Sequence, residues 1–208
     1  MKKIIFYTNP NSRGLFVRWM LEECGAKYEV VPIQFGEEIK SEKYLSINPM
    51  GKLPAIAVDG RIITETAAII TFLADMFPEK KLIPAVDSIE RGEFYRWMFF
   101  AVHAEYALMD KLFDIPSNEL RRNGIGYGDF DTAFNTLTDF LKGKKYAIGN
   151  SFTALDLWLS ALLGWGIRRE VFPKEGVLAD YMNQYITRDA FIKSKELDKE
   201  LAKEMGLE

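Results

Sequence analysis

A mixed α/β layer followed by an all-helical half is the fold class that this sequence predicts. Three observations predict it. Ile4-Ile5-Phe6-Tyr7 and Tyr28 to Val31 are short apolar runs on either side of a helix-period stretch, the pattern of a βαβ unit. Leu53 to Val58 and Arg61 to Ile63 flank Asp59-Gly60, a dipeptide suited to the positive φ angles of a tight hairpin turn. Beyond Asp87 no strand signal of comparable strength follows, and apolar residues recur at helical spacing.

Taken in order, the first run stops at Thr8-Asn9-Pro10-Asn11 and reads as a buried strand. Ser12 can then cap a helix carrying Leu15, Phe16, Trp19 and Met20, and Gly25 supplies its stop. Ser41 to Ile47 reads as a short helix ended by Asn48-Pro49. After the hairpin, Thr64-Glu65-Thr66 opens a helix with Ile69, Ile70, Leu73, Met76 and Phe77 on its apolar side, and Pro78 ends it. The stretch from Phe77 to Asp87 holds two prolines and several charges and reads as a linker. The expected division is residues 1–78, a linker at 79–87, and an all-helical part at 88–208.

In that second part Ser88 opens a long helix with Phe94, Trp97, Phe100 and Leu108, and Gly124 to Gly128 is a loop. Phe130, Phe134, Leu137 and Leu141 mark a further helix ending at Gly143. Leu155 to Trp165 is apolar nearly all round, so it is expected at the buried centre. Thr153 with Asp156 forms a capping box at its start. Tyr181 to Ile186 suggests a short helix. The last helix carries one apolar stripe, Leu197, Leu201 and Met205, with Lys193, Lys195, Lys199 and Lys203 on a solvated face.

Composition narrows the function classes. The chain has 208 residues, 48% of them hydrophobic, and a formal net charge of -3. No basic stripe argues for nucleic acid and no polybasic cluster for a membrane surface. No apolar run approaches the roughly 20 residues needed to span a bilayer, and the first run is too short for a signal-peptide core. Cys24 is the single cysteine, which excludes an internal disulfide. A soluble protein of a reducing compartment, the cytoplasm, is the expectation. His103 is the single histidine, and no metal-ligand spacing accompanies it.

Three segments carry a family resemblance. They are Asn9-Pro10-Asn11-Ser12-Arg13-Gly14 with Val17 to Glu23, then Asn48-Pro49-Met50-Gly51-Lys52-Leu53-Pro54, then Thr64-Glu65-Thr66-Ala67-Ala68-Ile69. In this order and spacing the chain resembles the cytosolic glutathione S-transferases along nearly its whole length, above all bacterial members with an Asn-Pro-x-Ser-Arg-Gly segment. The resemblance implies a thioredoxin-like first half, βαβ–α–ββα, that binds glutathione, and an all-helical second half that walls a pocket for a hydrophobic electrophile. It also implies a homodimer, with the third and fourth helices near the two-fold axis; detoxification, catabolism and stress response all stay open as its role.

The chemistry needs a thiolate. A free thiol has a pKa of about 8.5, and lowering it by two units needs about 2.7 kcal/mol of differential stabilisation. A hydroxyl donor beside a helix N-terminus supplies stabilisation of that kind. Ser12 stands where both meet; Tyr7, at the end of the first strand, and Asn11 are its rivals. Arg13 is placed to steady the thiolate or shape the electrophile pocket. The resemblance assigns Leu53-Pro54 to the family's cis-proline, with the Leu53 backbone pairing with the cysteinyl backbone of glutathione. It assigns Lys52 to a glutathione carboxylate and Glu65-Thr66 to the γ-glutamyl end, the acid taking the ammonium and the hydroxyl the carboxylate. Two further readings stay open: disulfide reduction, peroxide reduction or isomerisation on the same site, and a binding module without catalysis.

Overall fold

The computed structural model describes residues 2–207. It resolves into two compact units: one joins the chain up to Lys81 with the segment from Arg188 onward, the other runs from Leu82 to Thr187.

The first unit is built on a four-stranded sheet in the order β2-β1-β3-β4. Strand β1 (Ile4–Thr8) leads into α1 (Gly14–Cys24) and then β2 (Glu29–Pro32), which pairs parallel to β1. Gly25 ends α1 at φ 62°, a left-handed cap that a side chain would strain. A 3-10 turn at Glu38–Lys40 precedes α2 (Glu42–Leu45), whose cap Ser41 accepts from the Tyr44 N–H. Strands β3 (Ala55–Val58) and β4 (Arg61–Thr64) form the expected hairpin, with Asp59 and Gly60 both at positive φ. Helix α3 (Thr66–Met76) completes the thioredoxin-like order. In β1, Ile4, Phe6 and Thr8 are buried while Ile5 and Tyr7 on the other face are half-buried.

The second unit contains α4 (Ile89–Leu112), α5 (Glu119–Gly124), α6 (Phe130–Leu141), α7 (Ala154–Arg168) and α8 (Val177–Asn183). Helix α7 is buried nearly all round, as its composition predicts. Its capping box is present, and Asp156 does more than cap. This buried carboxylate accepts from the N–H groups of Ala147 and Thr153 at 2.7 Å, and from the hydroxyls of Thr153 and Tyr181. Burial still pushes its pKa up, against the pull of those donors. At the end of α4, Arg121 and Tyr127 both donate to Asp110 and tie α5 and its following loop to the helix.

Three local expectations differ. Helix α5 lacks an apolar stripe and is set instead by its cap, Asn118 accepting from the Arg121 N–H. Helix α8 begins at Val177, before Tyr181, and ends before Tyr185. The linker stretch includes a 3-10 turn at Pro78–Lys80, and within it Leu82 is buried, its carbonyl accepting from the Ala154 N–H at 2.7 Å.

The last helix, α9 (Asp189–Glu204), groups with the first unit because it packs on α1. Its inward face is Ser194, Asp198 and Leu201, so the apolar stripe read from sequence is interrupted by a buried acid. Arg18 Nε donates to Asp198 Oδ1 at 2.6 Å, with both side chains at most 5% exposed. Around this pair Arg188 grips Glu23 with two bonds of 2.6 and 2.7 Å, Lys193 meets Glu22 at 2.6 Å, and Phe191 packs edge-on against Trp19. The lysines at 193, 195, 199 and 203 are exposed, as expected. Removing one partner of a buried pair strands the other charge. Asp198→Ala is therefore expected to cost about 3–5 kcal/mol, read by urea unfolding, and Arg18→Met combined with Asp198→Leu to recover most of it.

Candidate active site

The register of the sheet gathers the three sequence segments at one edge. Tyr7 on β1 lies opposite Ala55 on β3, and Ala55 lies opposite Thr64 on β4. The residues just beyond these positions are the β1–α1 turn, Leu53-Pro54, and Glu65-Thr66. Antiparallel pairing of β3 with both neighbours brings the three segments to the same end of the sheet, though 39 residues of chain lie between Arg13 and Leu53.

Asn9 shapes the turn. Fully buried, it donates through Nδ2 to the Ile33 carbonyl, and its Oδ1 accepts from the Asn11 N–H, both at 2.9 Å. Its carbonyl takes two bonds from Ser12, from the N–H at 2.9 Å and the hydroxyl at 2.7 Å. Ser12 Oγ in turn accepts from the Gly14 N–H at 2.9 Å. Helix α1 starts at Gly14 with Arg13 as its N-cap residue, so Ser12 stands one position earlier than a cap and holds the first helical N–H rather than the third. The first turn of α1 carries no acidic side chain, so the positive end of its dipole is not offset there.

Gly14 is required by its neighbour. A Cβ there would collide with Thr8 Oγ1, which is buried and has no hydrogen-bond partner among the described residues.

Tyr7 and Ser12 belong to different surroundings. The Tyr7 ring stands edge-on to Tyr44, centroids 6.4 Å apart, in a cluster with Ile33, Ile39 and Leu53. Burial pushes the Tyr44 phenol up to about 12, helped by Tyr7 beside it. Asn11 is exposed, and Arg13 is half-buried.

Across the sheet end, the Leu53-Pro54 peptide bond is cis. Lys52 is exposed, Leu53 half-buried and Pro54 buried. The Lys52 carbonyl is held by the Tyr44 hydroxyl at 2.7 Å and Asn48 Nδ2 at 2.8 Å. Glu65 is exposed at φ 67°, ψ 114°, a strained backbone for a residue with a side chain, and its carboxylate does not cap its own helix. Thr66 is the first residue of α3, where backbone N–H groups lack intrahelical acceptors.

The sequence reading missed Tyr44 and Thr8, and it gave Asn48 no role. An aromatic in a short helix reads as core, and only the fold shows what its hydroxyl meets. Cys24 lies apart from the turn, buried, its thiol pushed up to about 12 by burial. His103 is exposed, with its ring against Gly126. Among the described residues no cluster of His, Cys, Asp or Glu could hold a metal, and no helix is long and apolar enough to cross a membrane.

Known proteins resemble this chain in sequence and in fold. The glutathione S-transferase N-terminal domain matches residues 2–75. A probable maleylacetoacetate isomerase of Caenorhabditis elegans is 32% identical over 169 residues, covering 78% of each chain. The GST-like protein YncG of Escherichia coli K12 is 30% identical over 176 residues, covering 80% of this chain and 83% of its own. A glutathione transferase structure from Methylococcus capsulatus superposes with a TM-score of 0.78 at 24% identity, covering 94% of this chain and 98% of that one. The chain belongs to the glutathione S-transferase family.

Alanine favours helices over glycine by about 0.8–1.0 kcal/mol, so an unobstructed Gly14→Ala would stabilise α1. Here overpacking against Thr8 reverses the sign, and a net loss of about 1–3 kcal/mol is expected by thermal unfolding. Thr8→Ala in the same chain should restore part of it.

Proposed function

We propose that this chain activates the thiol of glutathione and joins it to a hydrophobic electrophilic small molecule, with Ser12 as the group that holds the sulfur. The observation that carries this reading is the state of the Ser12 hydroxyl. Its oxygen is fixed by the Gly14 N–H, while its proton rests on the Asn9 carbonyl. Rotation about one bond redirects that proton to a thiolate, exchanging a neutral acceptor for an anionic one. Charge-assisted bonds are roughly twice as strong as neutral ones, and the start of α1 adds its dipole.

The other residues follow the same reading. Leu53 pairs through its backbone with the cysteinyl unit beside Pro54, Lys52 meets a carboxylate, and Glu65 takes the γ-glutamyl ammonium. Thr66 and the first N–H groups of α3 take the adjacent carboxylate. Arg13 steadies the thiolate or borders the electrophile. Tyr7 is the second choice for the sulfur: its ring packs against Tyr44. The likeness to bacterial members with the Asn-Pro-x-Ser-Arg-Gly segment belongs to this proposal, as do a cytoplasmic location and a role in detoxification. A disulfide reductase that uses a protein thiol is disfavoured, because Cys24 is buried with a raised pKa.

A homodimer is part of the same reading. Tyr95, Phe99 and Tyr106 form an exposed stripe on α4, continued by Phe113 just past its end, with Phe99 69% and Tyr106 61% exposed. Their spacing of four, seven and seven keeps them on one helix face. Phe99→Glu is expected to shift the native mass toward the monomer by light scattering, whereas a mass unchanged from a wild-type monomer would remove the dimer.

The test of function is glutathione calorimetry with the ultraviolet signal of bound thiolate, on wild type, Ser12→Ala and Tyr7→Phe. Ser12→Ala is expected to lose the thiolate signal near neutral pH and to lower kcat/KM about 100-fold, the equivalent of two pKa units. Retention of the signal in Ser12→Ala with its loss in Tyr7→Phe would move the role to Tyr7. A wild type that does not bind glutathione would leave a binding module without this chemistry.

A further inference from the structure

We infer that Tyr44 and Asn48 act together as a clamp on one peptide plane and thereby aim the Leu53 N–H at the substrate; this rests on the glutathione reading given above. The Lys52 carbonyl and the Leu53 N–H belong to the same peptide unit. That unit is planar and trans, so its C=O and N–H point in opposite directions. Tyr44 Oη and Asn48 Nδ2 both donate to the Lys52 carbonyl, at 2.7 and 2.8 Å. Two donors on one oxygen fix the rotation of the plane, and the Leu53 N–H is turned to the side away from them.

Both donors are themselves immobilised. Tyr44 is 1% exposed and Asn48 4%. The Tyr44 ring is locked between Ile33, Ile39, Tyr7 and Leu53. Asn48 is held through its other polar groups: Oδ1 accepts from the Met50 N–H at 3.1 Å, its carbonyl from the Gly51 N–H at 2.8 Å, and its N–H donates to the Tyr44 carbonyl at 2.9 Å. The clamp thus closes on itself, from Tyr44 to Asn48 to Lys52 and back. It also touches two flanks of the site, the Tyr7 ring by an edge contact and Leu53 by packing.

Neither side chain is placed on substrate; they are positioning residues. Their effect belongs to glutathione binding and not to the thiolate, because the sulfur's donor sits in the β1–α1 turn. Tyr44→Phe keeps the buried ring and deletes only the hydroxyl. Asn48→Asp removes the donor and keeps Oδ1 for the Met50 N–H. Loss of one of the two bonds is expected to raise the glutathione Kd and KM about 3- to 10-fold. At saturating glutathione, kcat and the pKa of bound thiol should stay at wild-type values. Ile39→Val serves as control, because it loosens the same cluster without touching the carbonyl; it should lower Tm and leave Kd unchanged.

Calorimetry, steady-state kinetics and a thiolate titration on the three variants decide the matter. A Kd raised in Tyr44→Phe and Asn48→Asp but not in Ile39→Val, with the thiol pKa unmoved, supports the clamp. Unchanged Kd in both clamp variants, beside a wild type that binds glutathione, overturns the clamp and leaves the function standing. Losses that track Tm in all three variants also overturn it, as packing alone would do that. A wild type that binds no glutathione overturns the function and the clamp with it.

Discussion

Asn9 sits at the end of β1 without contact with solvent, and its polar atoms define the turn that follows. Nδ2 reaches the Ile33 carbonyl just after β2, so the turn is anchored to the parallel neighbour of its own strand. Oδ1 and the carbonyl bend the chain over Asn11 and Ser12 into α1. A buried polar atom left without a partner costs about 1–3 kcal/mol, so this conformation is enforced from several directions. Where α1 begins, and what its first N–H groups and Ser12 face, depends on that one amide. The close approach of Gly14 to Thr8 is a further consequence, since the helix can start there only where no side chain intervenes.

The opposite end of α1's environment is set by charge. Arg18 and Asp198 are both buried, and Arg18 Nη2 and Asp198 Oδ2 have no hydrogen-bond partner among the described residues. Burial and attraction oppose each other here. Burial raises the Asp198 pKa, Arg18 pulls it down, and burial has the larger effect. A well-packed apolar pair of the same shape can equal or exceed such a pair in stability. What the ion pair adds is a fixed register between α1 and α9, reinforced at its margins by Arg188 with Glu23 and Lys193 with Glu22. The helix that starts at the site is therefore held along its length by the last helix of the chain.

On the other side of the sheet end, order comes from backbone acceptors. The Lys52 carbonyl has no partner in the sheet ladder and is met instead by Tyr44 and Asn48. Glu65, strained at positive φ, turns the chain from β4 into α3 and leaves its carboxylate exposed instead of capping the helix. The first feature satisfies a carbonyl that the sheet leaves unpaired, and the second leaves a carboxylate exposed at the end of the sheet where Ser12 also stands.

Much of this was legible in the sequence because it is local. Strand runs, the Asp59-Gly60 hairpin, the Gly25 cap and the Thr153–Asp156 box depend on residues within a few positions of each other. The segments at Asn9, Asn48 and Thr64 could likewise be marked out together, and the sheet register brings them to one end. Three things were not legible, and each is a contact between distant positions. The sequence shows Asp198 as one charge in a charged helix, and only packing on α1 makes it a buried partner of Arg18. It shows Tyr44 as an aromatic within a short helix, and only the fold brings its hydroxyl to Lys52. It leaves Ser12 and Tyr7 as near neighbours, but the Asn9 turn carries Ser12 to the start of α1 while Tyr7, still in β1, packs in the cluster around Tyr44. Periodicity and turn chemistry, which act over a few residues, were determined by the sequence alone. Which polar atom meets which depends on the closure of loops tens of residues long, and the tertiary structure decided it.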